Sequence, residues 1–183
     1  MGKIYPTIDD SVRQFIEGQP VFFVGSAPLD PSGHVNVSPK GLDTFRILGP
    51  STVAYLDLTG SGIETVSHVK ENGRIVLMFC NFQGPPKIMR LYGRGRVIEA
   101  GDAEFPSLAR HFPAHEGPRA VILVEISRIA DSCGFGVPLL RYEGQRTQLT
   151  AWSHKLGAEG LDAYRREKNQ RSIDGIQGLE KRA

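Results

Sequence analysis

The sequence predicts a mainly β protein, a closed or nearly closed antiparallel barrel with helices inserted singly. Two observations point there. Roughly six short runs of strand character follow one another, and turn residues stand between them. Those turn residues come from 21 glycines and 12 prolines scattered as single punctuation marks rather than gathered in a tract. Hydrophobic residues make up 40% and charged residues 23% of the 183-residue chain, enough for one folded core and short for two.

The elements follow in order. Thr7 caps a first helix in which Ile8, Val12, Phe15 and Ile16 fall at helical spacing, and Gly18 ends it. Val21-Phe22-Phe23-Val24 is a buried strand. His34-Val35-Asn36-Val37-Ser38 alternates polar and apolar residues, as a half-buried strand does. Thr52 to Leu58 is a third strand. Ser61-Gly62-Ile63-Glu64 reads as a capping box opening a helix that stops at Asn72-Gly73. Arg74 to Asn81 and Ile88 to Glu99 are strands. In the second of these, Arg90, Tyr92, Arg94 and Arg96 share one face, and Met89, Leu91 and Val97 the other. A short helix is expected between Asp102 and Phe112, a strand over Ala120 to Ile129, and an extended piece over Leu139 to Tyr142. From Ala151 one or two helices pack on the barrel, with Trp152 and Tyr164 as anchors, and an irregular tail begins at Asn169. The expected division is a barrel unit over 1–150 and a helical extension over 151–183.

Composition excludes several classes. A net charge of +2 is too small to argue for nucleic acid or an anionic membrane as partner. Cys80 and Cys133 lie far apart, without the spacing of a zinc site or a disulfide framework. The start Met1-Gly2-Lys3-Ile4-Tyr5-Pro6 has no apolar run of signal-peptide type, and no stretch nears the ~18 apolar residues of a membrane span. The expectation is a cytoplasmic protein with reduced thiols. His111 and His115 are four apart, but Pro113 lies between them and no metal site is expected.

Two segments can carry chemistry. Thr59-Gly60-Ser61-Gly62 joins a strand end to a helix start, where free amides and the helix dipole suit a phosphate; Ser61 and Thr65 add hydroxyls. An ordinary capped turn is the competing reading. Ser38-Pro39-Lys40-Gly41 sets a lysine beside a glycine after a strand whose polar face is His34, Asn36 and Ser38. That lysine suits a phosphate or the electron-rich end of a ring, against the plainer reading of a solvated turn. The Arg90, Arg94 and Arg96 stripe reads as a solvated strand face.

The order of motifs adds a resemblance. Val21-Phe22-Phe23-Val24, His34 to Gly41, Val53-Ala54-Tyr55-Leu56-Asp57-Leu58, Asn72-Gly73-Arg74-Ile75-Val76-Leu77-Met78-Phe79 and Leu91-Tyr92-Gly93-Arg94-Gly95-Arg96-Val97 succeed one another. Over about residues 10 to 130 this resembles the pyridoxamine 5′-phosphate oxidase-like family of FMN-binding split barrels. Ser132 to Pro138 and Lys168 to Gly175 resemble one subgroup of it. The resemblance implies a six-stranded antiparallel split barrel and a homodimer with FMN at the interface, acting on a small molecule as an oxidoreductase. It implies that Asn36, Ser38, Pro39, Lys40 and Gly41 run along the flavin ring or ribityl chain, and that Tyr55, Asp57 and Leu58 line the next strand. Gly60, Ser61, Gly62 and Thr65 approach the phosphate, and Cys133 and Gly134 come from the second subunit over the ring. Two departures weigh against pyridoxal-forming activity. Where those oxidases carry an Arg-Lys pair, this chain has Glu64 and Thr65; in place of their arginine-rich C-terminal motif it has Gln145 to Leu149 and ends Lys181-Arg182-Ala183. The rival functions on the same barrel are a non-catalytic flavin or haem carrier or sensor, with the five histidines as candidate ligands, and a deazaflavin-dependent reductase.

Overall fold

In the computed structural model, which describes residues 2–180, the strand-forming runs lie in one curled antiparallel sheet. Its strands are β1 (Ile4–Tyr5), β2 (Phe22–Ser26), β3 (Asn36–Lys40), β4 (Phe45–Ile47), β5 (Thr52–Leu58), β6 (Arg74–Cys80), β7 (Ile88–Glu99) and β8 (Pro118–Ser132). They lie in the order β3-β2-β6-β7-β8-β5-β4, with β1 paired to β8. Six strands have five residues or more, as a six-stranded split barrel requires; β1 and β4 are additions of two and three residues. The order ends on β3 and β4, so the sheet is open between two strands consecutive in the chain. β7 and β8 form the longest pairing, with a bulge at Tyr92/Gly93. Gly93 is needed there, because a Cβ would collide with the Glu125 carbonyl oxygen.

The concave face buries Val24, Tyr55, Leu77, Phe79, Met89, Leu91, Ile122 and Val124. Helix α1 (Asp10–Glu17) covers part of it with Val12 and Ile16. Its cap is Asp9 rather than Thr7: Asp9 is the extended residue just before the first turn, and its Oδ1 accepts from the Val12 amide at 2.9 Å. Helix α2 (Glu64–Asn72) buries Val66 and Val69, with Ile63 just before it; each such burial contributes roughly 1.5–3 kcal/mol. It ends at Gly73, whose φ of 70° is the left-handed stop that glycine takes without strain. Helix α3 (Phe105–Ala109) is shorter than the Asp102–Phe112 span expected.

Helix α4 (Gln148–Lys168) is two helical pieces joined at Gly157, where φ is 64° and ψ −176°. Trp152 and Tyr164 meet edge to face at 4.9 Å, and Leu161 is buried. The described chain after α4 forms no further helix or strand, as expected of an irregular tail, but specific contacts hold it in place. Arg171 bridges to Gln177 across a turn, and Leu179 joins the main core. Leu139 to Tyr142 finds no strand partner and stays coil, tied by the Leu140 amide to the Phe82 carbonyl. Lys181-Arg182-Ala183 lie outside the described residues. Among the described residues no helix is long and apolar enough to cross a membrane.

Candidate functional site

Beside the opening between β3 and β4 lies a cleft of about 330 Å³. Ser38, Pro39 and Lys40 of β3 form one wall, and Gly41, Leu42 and Thr44 continue it. Asp57 and Leu58 of β5 lead into Thr59, Gly60 and Gly62; Glu64 and Thr65 of α2, Arg119 of β8 and Leu149 of α4 complete the lining. Leu42 and Asp43 both have positive φ, 60° and 55°, a costly conformation for such residues. The turn holding them is braced where Gln145 Oε1 accepts from the Leu42 amide at 3.1 Å.

Charge at the site centres on Asp57, which is 1% exposed. Its Oδ1 accepts from Lys40 Nζ at 3.0 Å and its Oδ2 from Arg119 Nε at 2.7 Å. Burial alone would raise its pKa. The Arg119 and Lys40 charges and hydrogen bonds outweigh that and hold it down at about 2. Two cations against one carboxylate leave one excess positive charge among these three residues. Arg119 is itself buried and spends its other donors on oxygen: Nη1 reaches Gly60 O at 3.1 Å and Asn169 Oδ1 at 2.9 Å, and Nη2 reaches Gly62 O at 2.7 Å.

Those contacts shape the glycine loop. Turning the Gly60 and Gly62 carbonyls to Arg119 points the following amides, of Ser61 and Ile63, the opposite way, because a trans peptide sets C=O and N–H antiparallel. Ser61 is therefore not the cap expected of it. Ile63 holds that position without a side-chain hydrogen bond, and Glu64 is the first helical residue instead of a capping-box partner. Among the described residues, none of the amides from Gly60 to Val66 donates to a protein acceptor. A Cβ on Gly60 would meet nothing within 4 Å. Unclaimed amides at a helix start beside an open cleft fit a phosphate group. Lys40 and Arg119 offset the Asp57 and Glu64 carboxylates in the lining, and Pro39, Leu42, Leu58 and Leu149 add apolar wall for a planar ring.

The expected site residues divide into four groups. Ser38, Pro39, Lys40, Gly41, Asp57, Leu58, Gly60, Gly62 and Thr65 line the cleft. Asn36 and Tyr55 lie behind it. Asn36 Nδ2 donates to Thr65 Oγ1 at 2.9 Å, and Ser38 Oγ donates to Asn36 Oδ1 at 3.1 Å, so Asn36 orients two lining hydroxyls. Tyr55 is fully buried with Lys40 Nζ 5.8 Å from its ring. Burial, then the Asp57 charge, push its phenol pKa well up. Ser61 is exposed beside the cleft without lining it. Cys133 and Gly134 stand apart, near Pro86 and Lys87. Arg119 and Asn169 were missed. A signal existed: Arg119 heads an apolar run over 120–124 and Asp57 sits in another over 53–58, each a lone charge that a buried strand tolerates only if paired.

None of the five histidines lines the cleft. His68 is buried with Nδ1 3.0 Å from Ser26 Oγ, and burial holds its pKa down. His34 pairs at 2.6 Å with Asp174. The Arg90, Arg94 and Arg96 stripe is engaged with Ser132 Oγ, Asn72 O and the Glu104 carboxylate.

Similar proteins agree with this architecture. The family model described as pyridoxamine 5′-phosphate oxidase matches residues 8–133. The pyridoxamine 5′-phosphate oxidase family protein ustO of Aspergillus flavus is 41% identical over 196 aligned positions, which cover 98% of this chain and 78% of the relative. Among solved structures, HupZ of Group A Streptococcus superposes with a TM-score of 0.51 at 22% identity, covering 67% of this chain and 91% of HupZ. A Lactobacillus delbrueckii protein named for pyridoxamine 5′-phosphate oxidase gives 0.52 at 22%, covering 69% and 98%. At that identity the structural likenesses speak to the fold alone. The family match and the fungal relative go further: this chain belongs to the pyridoxamine 5′-phosphate oxidase family.

Proposed function

We propose that this chain binds FMN in the cleft beside the β3–β4 opening and serves as an oxidoreductase for a small molecule. The observation that carries the reading is the row of unclaimed amides from Gly60 to Val66, set at the start of α2 beside the Lys40–Asp57–Arg119 cluster. Bound FMN would supply two-electron redox chemistry, accepting a hydride from the substrate and passing electrons to an acceptor. The chain's own part is to bind and orient. The Ser61 and Ile63 amides and the Thr65 hydroxyl receive the phosphate, with the positive end of the α2 dipole behind them. Lys40 stands above Asp57 at the ring end, where a point charge favours electron-rich flavin. Pro39, Leu58 and Leu149 exclude water from the ring faces. No side-chain acid or base has to act. Glu64, in the cleft lining at the first helical position, opposes the phosphate and tempers affinity.

A second copy of the chain completes the site in this reading. Val35 and Val37, on the outer face at β3, are 73% and 65% exposed, and Phe135 beyond Cys133 is 83% exposed. Apolar residues grouped at an edge strand and on a protruding loop suit burial against a partner. The Cys133–Gly134 segment of one copy then reaches the ring held by the other. The test is titration of purified protein with FMN, followed by quenching of flavin fluorescence. One FMN per protomer, bound more tightly than riboflavin, is the expected result. A protein that leaves FMN fluorescence unchanged sinks the proposal.

A further inference from the structure

We infer that the hairpin after α4 belongs to the cofactor site: Asn169, helped by Arg165, is a positioning residue that holds the 59–62 loop with its amides turned to the phosphate. This rests on the FMN reading above. Asn169 is fully buried, so both ends of its side-chain amide have to be matched inside the protein. Its Nδ2 donates to Gly60 O at 2.9 Å, and its Oδ1 accepts from Arg119 Nη1 at 2.9 Å. Arg165 Nε donates to Thr59 Oγ1 at 2.9 Å, while its Nη2 donates to Pro118 O at 3.1 Å. Neither Asn169 nor Arg165 lines the cleft. They act through the loop.

The hairpin fixes Asn169 in turn. Its amide donates to Arg165 O, and its carbonyl accepts from the Leu179 amide. Gly178 packs so closely that a Cβ there would collide with the same carbonyl. Lys70 Nζ, on α2, donates to Gly178 O at 2.8 Å. The segment that grips the loop from behind is therefore anchored on the helix whose start faces the ligand. Without Asn169, the Gly60 carbonyl keeps only its 3.1 Å bond to Arg119, and the peptide that aims the Ser61 amide is free to turn.

The experiment compares FMN with riboflavin, which lacks the phosphate, in the full chain and in Asn169→Ala and Arg165→Gln. Dissociation constants come from fluorescence quenching, and melting curves without ligand report folding. Asn169→Ala is expected to weaken FMN about tenfold and riboflavin by less than about twofold. Arg165→Gln moves the same ratio in the same direction and carries the comparison if Asn169→Ala does not fold. Equal losses for both flavins, or unchanged FMN affinity in a folded variant, overturn the inference and leave the FMN reading standing. A parent chain with no preference for FMN over riboflavin overturns the reading itself.

Discussion

β3 and β7 both alternate with period two, but in opposite senses. On β7 the apolar residues Met89 and Leu91 are buried, while Arg90, Arg94 and Arg96 hold polar partners on the other face. Along β3 the polar residues Asn36, Ser38 and Lys40 share the inner face, from which Ser38 and Lys40 line the cleft, and Val35 and Val37 face out. The cause is position. β7 lies inside the sheet, where its inner face meets the core. β3 is an edge beside the opening, where the inner face meets the carboxylate of Asp57. Alternation reveals that two faces differ; it does not say which of them is wet.

Four measurements break or sharpen this contrast. The largest effect is expected at the support of β3's inner face. Arg119→Met leaves Asp57 buried with Lys40 alone and releases the glycine loop, so urea denaturation should show a loss of about 3–5 kcal/mol. Next comes the outer face. If Val35 and Val37 meet a second copy, Val37→Asp weakens self-association about a hundredfold, whereas Arg94→Asp on β7 leaves the mass measured by light scattering unchanged. An unaltered dimer in Val37→Asp would move the interface elsewhere.

A smaller effect follows from pH. The folded-state pKa of Asp57, about 2, lies below its ordinary 3.8. A depressed carboxylate contributes stability that is full above the unfolded value and is lost as pH falls through the folded one. On the order of 2 kcal/mol should therefore vanish between those two values. Carbon NMR titration of the Asp57 carboxyl checks it directly, and a midpoint near 4 would contradict the buried pairing. The smallest change belongs to β7. Arg96 and Glu104 pair in the open, so Arg96→Ala should cost under about 1 kcal/mol in the same denaturation assay.

Much of the fold was legible because local pattern and tertiary outcome agree where strands are long. Ile88–Glu99 has the span its alternation implied, and Gly73 stops α2 where Asn72-Gly73 signalled an end. The helix starts were less legible. Thr7 and Ser61 both looked like caps, yet Asp9 sits nearer the first turn of α1, and Arg119 draws the carbonyls on either side of Ser61 away from a capping arrangement. The 38–41 and 59–65 segments carry visible glycine and lysine signals and do meet in one cleft. Asn169, far along the chain, gave no local hint of a contact with Gly60.

The sequence by itself determined the six longer strands, the turns between them and the two segments that meet in the cleft, since each depends on neighbours a few residues apart. Tertiary structure alone decided which face of β3 meets the cleft, that Asp57 is paired with two cations, and that Asn169 at the end of α4 bonds the glycine loop. Those outcomes depend on residues brought together from 17, 62 and 109 positions away, a matter of sheet register and packing that no local pattern encodes.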